Sequence, residues 1–170
     1  VLQGRDVMGA AQTGTGKTAA FTLPLLQRMM NHENASASPA RHPVRALVLT
    51  PTRELAIQIA AELSELGRFT PIKVTAIYGG QRISSQADKL RHDPEILVGT
   101  PGRVMDLVER RLIHFKNIKF VVLDEADRML DMGFSEAVET ITKATPEGRQ
   151  TLLFTATWDG AMEKLAKRLM

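Results

Sequence analysis

Four short runs, Ala46-Leu47-Val48-Leu49, Ile96-Leu97-Val98, Phe120-Val121-Val122-Leu123 and Leu152-Leu153-Phe154, contain no polar residue at all. A strand with one wet face alternates apolar and polar residues. A strand without alternation is covered on both faces, as in a parallel sheet between two layers of helix. Between the runs lie helical patterns. In the clearest, Leu55, Ile59, Leu63 and Leu66 recur every three or four positions while Glu54, Gln58, Glu62 and Glu65 take the other faces. The segments 73–78 and Val7-Met8-Gly9-Ala10 read as further strands, and 83–92, 101–110, 135–143 and 162–170 as helices. Thr100 and Pro101 suit the N-cap and first position of the 101–110 helix. The stretch 31–43, rich in Ser, Ala, Asn and Pro, reads as a mobile surface loop. Strands alternating with helices predict one α/β domain with a mainly parallel sheet, helices on both faces and mainly right-handed crossovers.

In such a sheet every strand ends on the same edge, and ligands bind there. The unusual polar stretches of this chain all follow strands. They are 11–18, Thr50-Pro51-Thr52-Arg53, Gly79-Gly80, Thr100-Pro101-Gly102-Arg103, Asp124-Glu125-Ala126-Asp127 and Thr155-Ala156-Thr157.

The first is Ala11-Gln12-Thr13-Gly14-Thr15-Gly16-Lys17-Thr18. Gly14 and Gly16 permit a tight loop with inward-pointing N–H groups, Lys17 adds a cation, and Thr18 adds a hydroxyl at a helix start. These are the parts of a phosphate cradle. The strand before and the helix after, running through Phe21, Leu25 and Met29, supply the context a P-loop requires, although Ala11 stands where the generic motif has Gly. Alone, the octapeptide is also compatible with a Gly/Thr-rich turn. The stretch at 124–127 changes the balance. A carboxylate at the tip of a buried strand can hold Mg²⁺ together with Thr18, directly or through water, and Glu125 is placed to take a proton from an attacking water. By itself Asp-Glu-Ala-Asp would be an acidic helix start. With a P-loop about a hundred residues upstream it indicates an NTPase, with Lys17 neutralising phosphates and Asp124 and Glu125 serving metal and water.

The two Thr-Pro-x-Arg stretches each join a strand end to a helix start and offer backbone N–H groups plus one guanidinium that fits a phosphate. Singly, each is equally a good helix beginning with a solvated charge. Together on one edge, with Gly79-Gly80 between them, they suggest a second ligand with several phosphates, such as a nucleic-acid backbone. The chain has one Tyr and one Trp, so Tyr78 and Trp158 read as packing or interface residues rather than base readers. A formal charge of +3 permits a polyanion partner. The absence of Cys excludes disulfides and zinc-thiolate sites. With no apolar run near the roughly 20 residues of a membrane span, a cytoplasmic protein is expected. The opening Val1-Leu2-Gln3-Gly4 reads as the start of a segment cut from something longer.

In their order and approximate spacing, A-Q-T-G-T-G-K-T, P-T-R-E-L-A, the G-G pair, T-P-G-R, D-E-A-D and T-A-T resemble the first RecA-like domain of DEAD-box ATP-dependent RNA helicases, over essentially the whole chain. The stretch V-L-D-E-A-D-R-M-L-D-M-G-F at 122–134 looks especially like the bacterial RhlE and SrmB type. The family also has Ala at the position of Ala11. The resemblance implies ATP and Mg²⁺ as cofactors, bound by Ala11, Gln12, Thr13, Gly14, Thr15, Gly16, Lys17 and Thr18 with Asp124 and Glu125. It implies RNA phosphate and ribose contacts at Pro51, Thr52, Arg53, Gly79, Gly80, Thr100, Pro101, Gly102 and Arg103. It further implies that Asp127 hydrogen-bonds Thr155 and Thr157 and so links nucleotide state to strand separation. The family usually has Ser where this chain has Thr155.

The family's adenine-reading Gln motif and second RecA-like domain, with its arginine finger, fall outside residues 1–170. The expectation is therefore a monomeric domain with poor adenine specificity and little or no hydrolysis by itself, within a parent that hydrolyses ATP to open short RNA duplexes. Two alternatives stay open: an ATP-gated RNA clamp without turnover, and another P-loop nucleic-acid translocase. A GTPase is disfavoured because no Asn-Lys-x-Asp motif is present.

Overall fold

The computed structural model describes residues 1–10, 17–33 and 44–170, with side chains of the first long helix described over 20–30. In chain order the elements are β1 (Val7–Ala10), α1 (Lys17–Glu33), β2 (Ala46–Leu49), α2 (Arg53–Leu66), β3 (Val74–Ile77), α3 (Ile83–Leu90), β4 (Ile96–Gly99), α4 (Pro101–Glu109), β5 (Phe120–Leu123), α5 (Ala126–Asp131), α6 (Ser135–Lys143), β6 (Gln150–Thr155) and α7 (Gly160–Leu169). The six strands form one sheet in the order β1-β6-β5-β2-β4-β3, and every pairing is parallel. The predicted sheet class and its two helical layers are therefore present.

Each apolar strand divides its residues between two cores, as the pleat requires. Ala46, Val48, Phe120, Val122, Leu152 and Phe154 pack with Phe21, Leu25 and Met29 of α1 and Ala56, Ile59 and Leu63 of α2. Leu47, Leu49, Val121, Leu123 and Leu153 meet Leu107 of α4, Met129 of α5, Ile141 of α6 and Leu165 of α7 on the opposite face. Both faces of β2, β4 and β5 are fully buried, which is why their sequences show no alternation.

Several boundaries differ from expectation. α1 continues through Glu33, so residues 31–33 of the expected loop are helical and the rest of it, 34–43, lies outside the described residues. β6 is longer than the apolar triplet, because Gln150, Thr151 and Thr155 are polar yet buried and extend the pairing with β5 and β1. α5 is a six-residue helix that periodicity does not reveal, since it is too short to complete two turns. α3 stops at Leu90, and Asp93 follows with φ of 54°.

Glycine is required sterically at two strand positions. A Cβ on Gly9 would lie 2.8 Å from the ring of Phe154, its register partner across the sheet. The same ring stacks on Phe21 of α1, with centroids 5.3 Å apart. This aromatic pair thus ties together the strand and the helix that bracket residues 11–16. At Gly99, a Cβ would lie 2.6 Å from Cγ2 of Val104 and 2.9 Å from the carbonyl oxygen of Ile77.

Candidate functional site at the C-terminal sheet edge

Because all six strands are parallel, the described polar stretches do share one edge, and the strand order sorts them into two groups. β1, β6 and β5 lead respectively to residues 11–18, to Thr155-Ala156-Thr157 and to Asp124-Glu125-Ala126-Asp127. β2, β4 and β3 lead to Thr50-Pro51-Thr52-Arg53, Thr100-Pro101-Gly102-Arg103 and Tyr78-Gly79-Gly80. The boundary falls between β5 and β2, which pair directly.

In the first group, Ala11, Gln12, Thr13, Gly14, Thr15 and Gly16 lie outside the described residues, while Lys17 and Thr18 open α1. Asp124 follows the last residue of β5, and its N–H donates to Leu49 O at 2.9 Å, which fixes it to the end of β2. Its side chain is buried at 2% exposure. Glu125 is also buried and adopts φ 52°, ψ 51°. A left-handed conformation at a non-glycine residue costs about 1–3 kcal/mol and persists where the surroundings enforce it. Glu125 forms the hinge between the end of β5 and α5, and Arg128 one turn on approaches its Oε1 at 4.0 Å. Among the described residues, no cluster of three or more His, Cys, Asp or Glu side chains could form a protein-only metal cage. One buried carboxylate with a helix-start hydroxyl suits Mg²⁺, which keeps several waters and takes its other ligands from phosphates.

Asp127 lies in the first turn of α5 and binds across to the segment after β6. Its Oδ2 accepts from Thr157 N at 3.1 Å and from Thr157 Oγ1 at 2.9 Å. Burial alone would raise its pKa. Hydrogen bonds from the Thr157 side chain, the Arg128 backbone, the Thr155 side chain and the Thr157 backbone outweigh that and leave it below the usual 3.8. Thr155 also reaches Asp127 with its side chain, and its Oγ1 lies 2.7 Å from Thr157 O.

In the second group, the two Thr-Pro-x-Arg stretches adopt different helix registers. Thr52 caps α2, its Oγ1 accepting from Leu55 N at 3.3 Å, so Pro51 precedes the cap and Arg53 is the first helical residue. Thr100 is the N-cap of α4, without a side-chain capping bond, so Pro101 and Gly102 begin that helix and Arg103 is its third residue. The consequence is two unlike arginines. Arg53 is exposed, with its guanidinium carbon 5.7 Å from the centroid of Tyr78. Arg103 is half-buried, and its Nη1 donates to Gln81 O at 2.9 Å and to Gln86 Oε1 at 3.0 Å. Gly80, at φ 85°, turns the chain beside Arg53, whereas a Cβ at Gly79 would touch nothing. Tyr78 is buried, as expected of a packing residue, and Trp158 is half-exposed.

Sequence reasoning missed Gln86. It is fully buried on α3, and its Nε2 donates to Tyr78 O at 2.7 Å. A polar residue at the i+3 position between Ile83 and Leu90, both on the inward stripe of α3, was the available signal. Gly99 was also missed, since only the approach of α4 to β4 makes it necessary.

A six-stranded parallel sheet with helices on both faces and a buried carboxylate at a strand tip define a RecA-like domain. A family model described as DEAD/DEAH box helicase matches residues 1–165. The chain is 47% identical to the DEAD-box ATP-dependent RNA helicase CshA of Bacillus cereus over 169 residues, covering 99% of this chain and 31% of that protein. It is 46% identical to the ATP-dependent RNA helicase CshA of Listeria monocytogenes, again over 99% of this chain and 31% of the relative. A crystal structure of a hypothetical ATP-dependent RNA helicase from Sulfolobus tokodaii superposes with a TM-score of 0.87 at 36% identity, over 99% of this chain and 46% of that one. The chain belongs to the DEAD/DEAH box helicase family. It spans about a third of the length of the curated relatives it matches.

Proposed function

We propose that this domain is the nucleotide-binding half of an RNA-dependent ATPase that opens or remodels short RNA duplexes. The observation that carries the reading is the strand order. It sets an NTPase-type carboxylate pair on β5 directly beside the first of two arginine-bearing strand-to-helix junctions on β2, so two polyphosphate ligands would lie side by side on one edge.

In this reading Gly14, Gly16, Lys17 and Thr18 hold the phosphates of ATP, and Thr18 and Asp124 hold Mg²⁺, partly through water. The metal supplies charge neutralisation at the phosphates. Glu125 orients the attacking water and accepts its proton. Arg53 and Arg103, with backbone N–H groups at Thr52, Gly80 and Gly102, grip RNA phosphates without reading sequence. Asp127 and Thr157 tie α5, which follows the metal-binding strand, to the segment after β6, so a change at the nucleotide is felt at both. A second RecA-like domain would complete the RNA cleft and add an arginine finger. Because such a finger is worth about 10³–10⁵ in rate, this domain alone should turn over ATP barely or not at all. The reading includes a cytoplasmic location and a monomeric domain. The finer likeness to the RhlE and SrmB type rests on residues 122–134, while the relatives named above carry the name CshA.

Glu125→Gln in the intact protein tests the assignment. RNA-stimulated ATP turnover should fall at least about a hundredfold, the scale of a lost general base, with nucleotide binding retained. Turnover that hardly changes would remove Glu125 from the role of base, whereas ATP-dependent RNA retention with no turnover in the wild-type protein would favour an ATP-gated clamp.

A further inference from the structure

Gln86 is the least expected buried side chain near the second group of loops. Its amide is used at both ends. Nε2 donates to the carbonyl of Tyr78, immediately before Gly79-Gly80, and Oε1 accepts from Arg103. The same Arg103 nitrogen donates to the carbonyl of Gln81, immediately after the glycines. The turn is thus held at its entrance by Gln86 and at its exit by Arg103, and the two holders are bonded to each other. Tyr78 adds a third link, because its hydroxyl accepts from Gln81 Nε2 at 3.0 Å and its ring lies under Arg53. Loops after β2, β3 and β4 are joined through one buried amide and one ring.

We propose that Gln86 is a positioning residue for phosphate binding: it sets the Gly79-Gly80 turn and Arg103 in one arrangement, so that both meet a polyphosphate backbone as a single unit. The inference rests on the proposed RNA contacts of this edge. Only an amide fits the role, since the Tyr78 carbonyl needs a donor and the Arg103 guanidinium needs an acceptor. Methionine matches the shape with neither. Glutamate keeps the acceptor for Arg103 but opposes an oxygen to the Tyr78 carbonyl.

The test compares wild type, Gln86→Met, Gln86→Glu, Arg103→Ala, Arg53→Ala and the Gln86→Met/Arg103→Ala double variant of the intact protein. Each is titrated with single-stranded oligouridylate over a range of salt, in the presence of a non-hydrolysable ATP analogue. Gln86→Met should weaken binding roughly tenfold, the effect of losing about one buried hydrogen bond's worth of ordering. It should also flatten the log–log salt dependence by about 0.7, the value for one released single-strand phosphate contact, although residue 86 carries no charge. In ATP turnover the half-saturating RNA concentration should rise about as much, with the rate at saturating RNA reduced less. The double variant should bind within about twofold of Arg103→Ala alone, because coupled residues are not additive. Wild-type affinity and salt slope in folded Gln86→Met, or strictly additive losses in the double variant, would overturn the inference. If Gln86→Met does not fold, Gln86→Glu carries the same comparison, and unchanged binding there has the same meaning. No RNA binding by wild type overturns the proposed function and this inference together. Binding weakened by Arg53→Ala but untouched by both Gln86 variants overturns this inference alone.

Discussion

The Thr155 hydroxyl lies within hydrogen-bonding reach of both Asp127 and the Thr157 carbonyl, while the N–H and hydroxyl of Thr157 donate to Asp127. The methyl that distinguishes Thr155 from the family's usual Ser therefore leaves the bonding intact. Asp127 has a depressed pKa in the folded protein, so its contribution to stability is present above its unfolded value. It is lost as the pH falls below about 3.8 and through the lower folded value. Thr157→Val removes one of the two bonds while the backbone bond remains. It should destabilise the domain by about 0.5–1 kcal/mol at neutral pH, at the low end because the site is partly exposed. Urea unfolding at neutral pH and again below 3.8 should show the difference between the two proteins shrinking once Asp127 is protonated. A constant difference would mean that the carboxylate is not the partner that matters.

At the scale of elements, the position of α4 is set by Gly99. Replacing it with alanine brings a Cβ within 2.6 Å of Val104 and 2.9 Å of the Ile77 carbonyl, and the second neighbour is backbone that cannot rotate away. Gly99→Ala should cost about 1–3 kcal/mol, as overpacking does. Adding Val104→Ala should recover only part of it in the same unfolding measurement, since the carbonyl remains. The helix that shifts begins at Pro101 and carries Arg103, so on the proposed RNA contact at Arg103 the affinity for RNA should fall with stability. Helix starts also explain why one tetrapeptide does two things. Thr-Pro-x-Arg places its proline before the cap of α2 but inside the first turn of α4, and the two arginines consequently face an aromatic ring and a carbonyl–amide pair. That difference is invisible in the repeated letters.

For the whole molecule, the proposed function separates phosphate binding at residues 11–18 from recognition of the base. Titrating the domain with Mg-ADP and Mg-GDP in parallel, with Lys17→Ala as control, should give weak and similar affinities for both, abolished by the substitution. A strong preference for ADP would place an adenine pocket within these residues. What the amino-acid order determined alone was everything carried by short-range chemistry. The unbroken apolar runs at 46–49 and 120–123 required strands covered on both faces, the spacing of Leu55, Ile59 and Leu63 required an amphipathic helix, and the residue types at 11–18 and 124–127 pointed to phosphate and metal. What only the tertiary structure decided was which loops are neighbours. β1 is followed in the chain by α1 and β2 but pairs with β6, the last strand, and β2 separates β5 from β4. Such pairings depend on how distant segments bury one another's faces, which no local pattern encodes. Gln86 and Gly99 acquired their meaning for the same reason: each answers to a backbone carbonyl that folding brings to it, Tyr78 O for the amide and Ile77 O for the glycine.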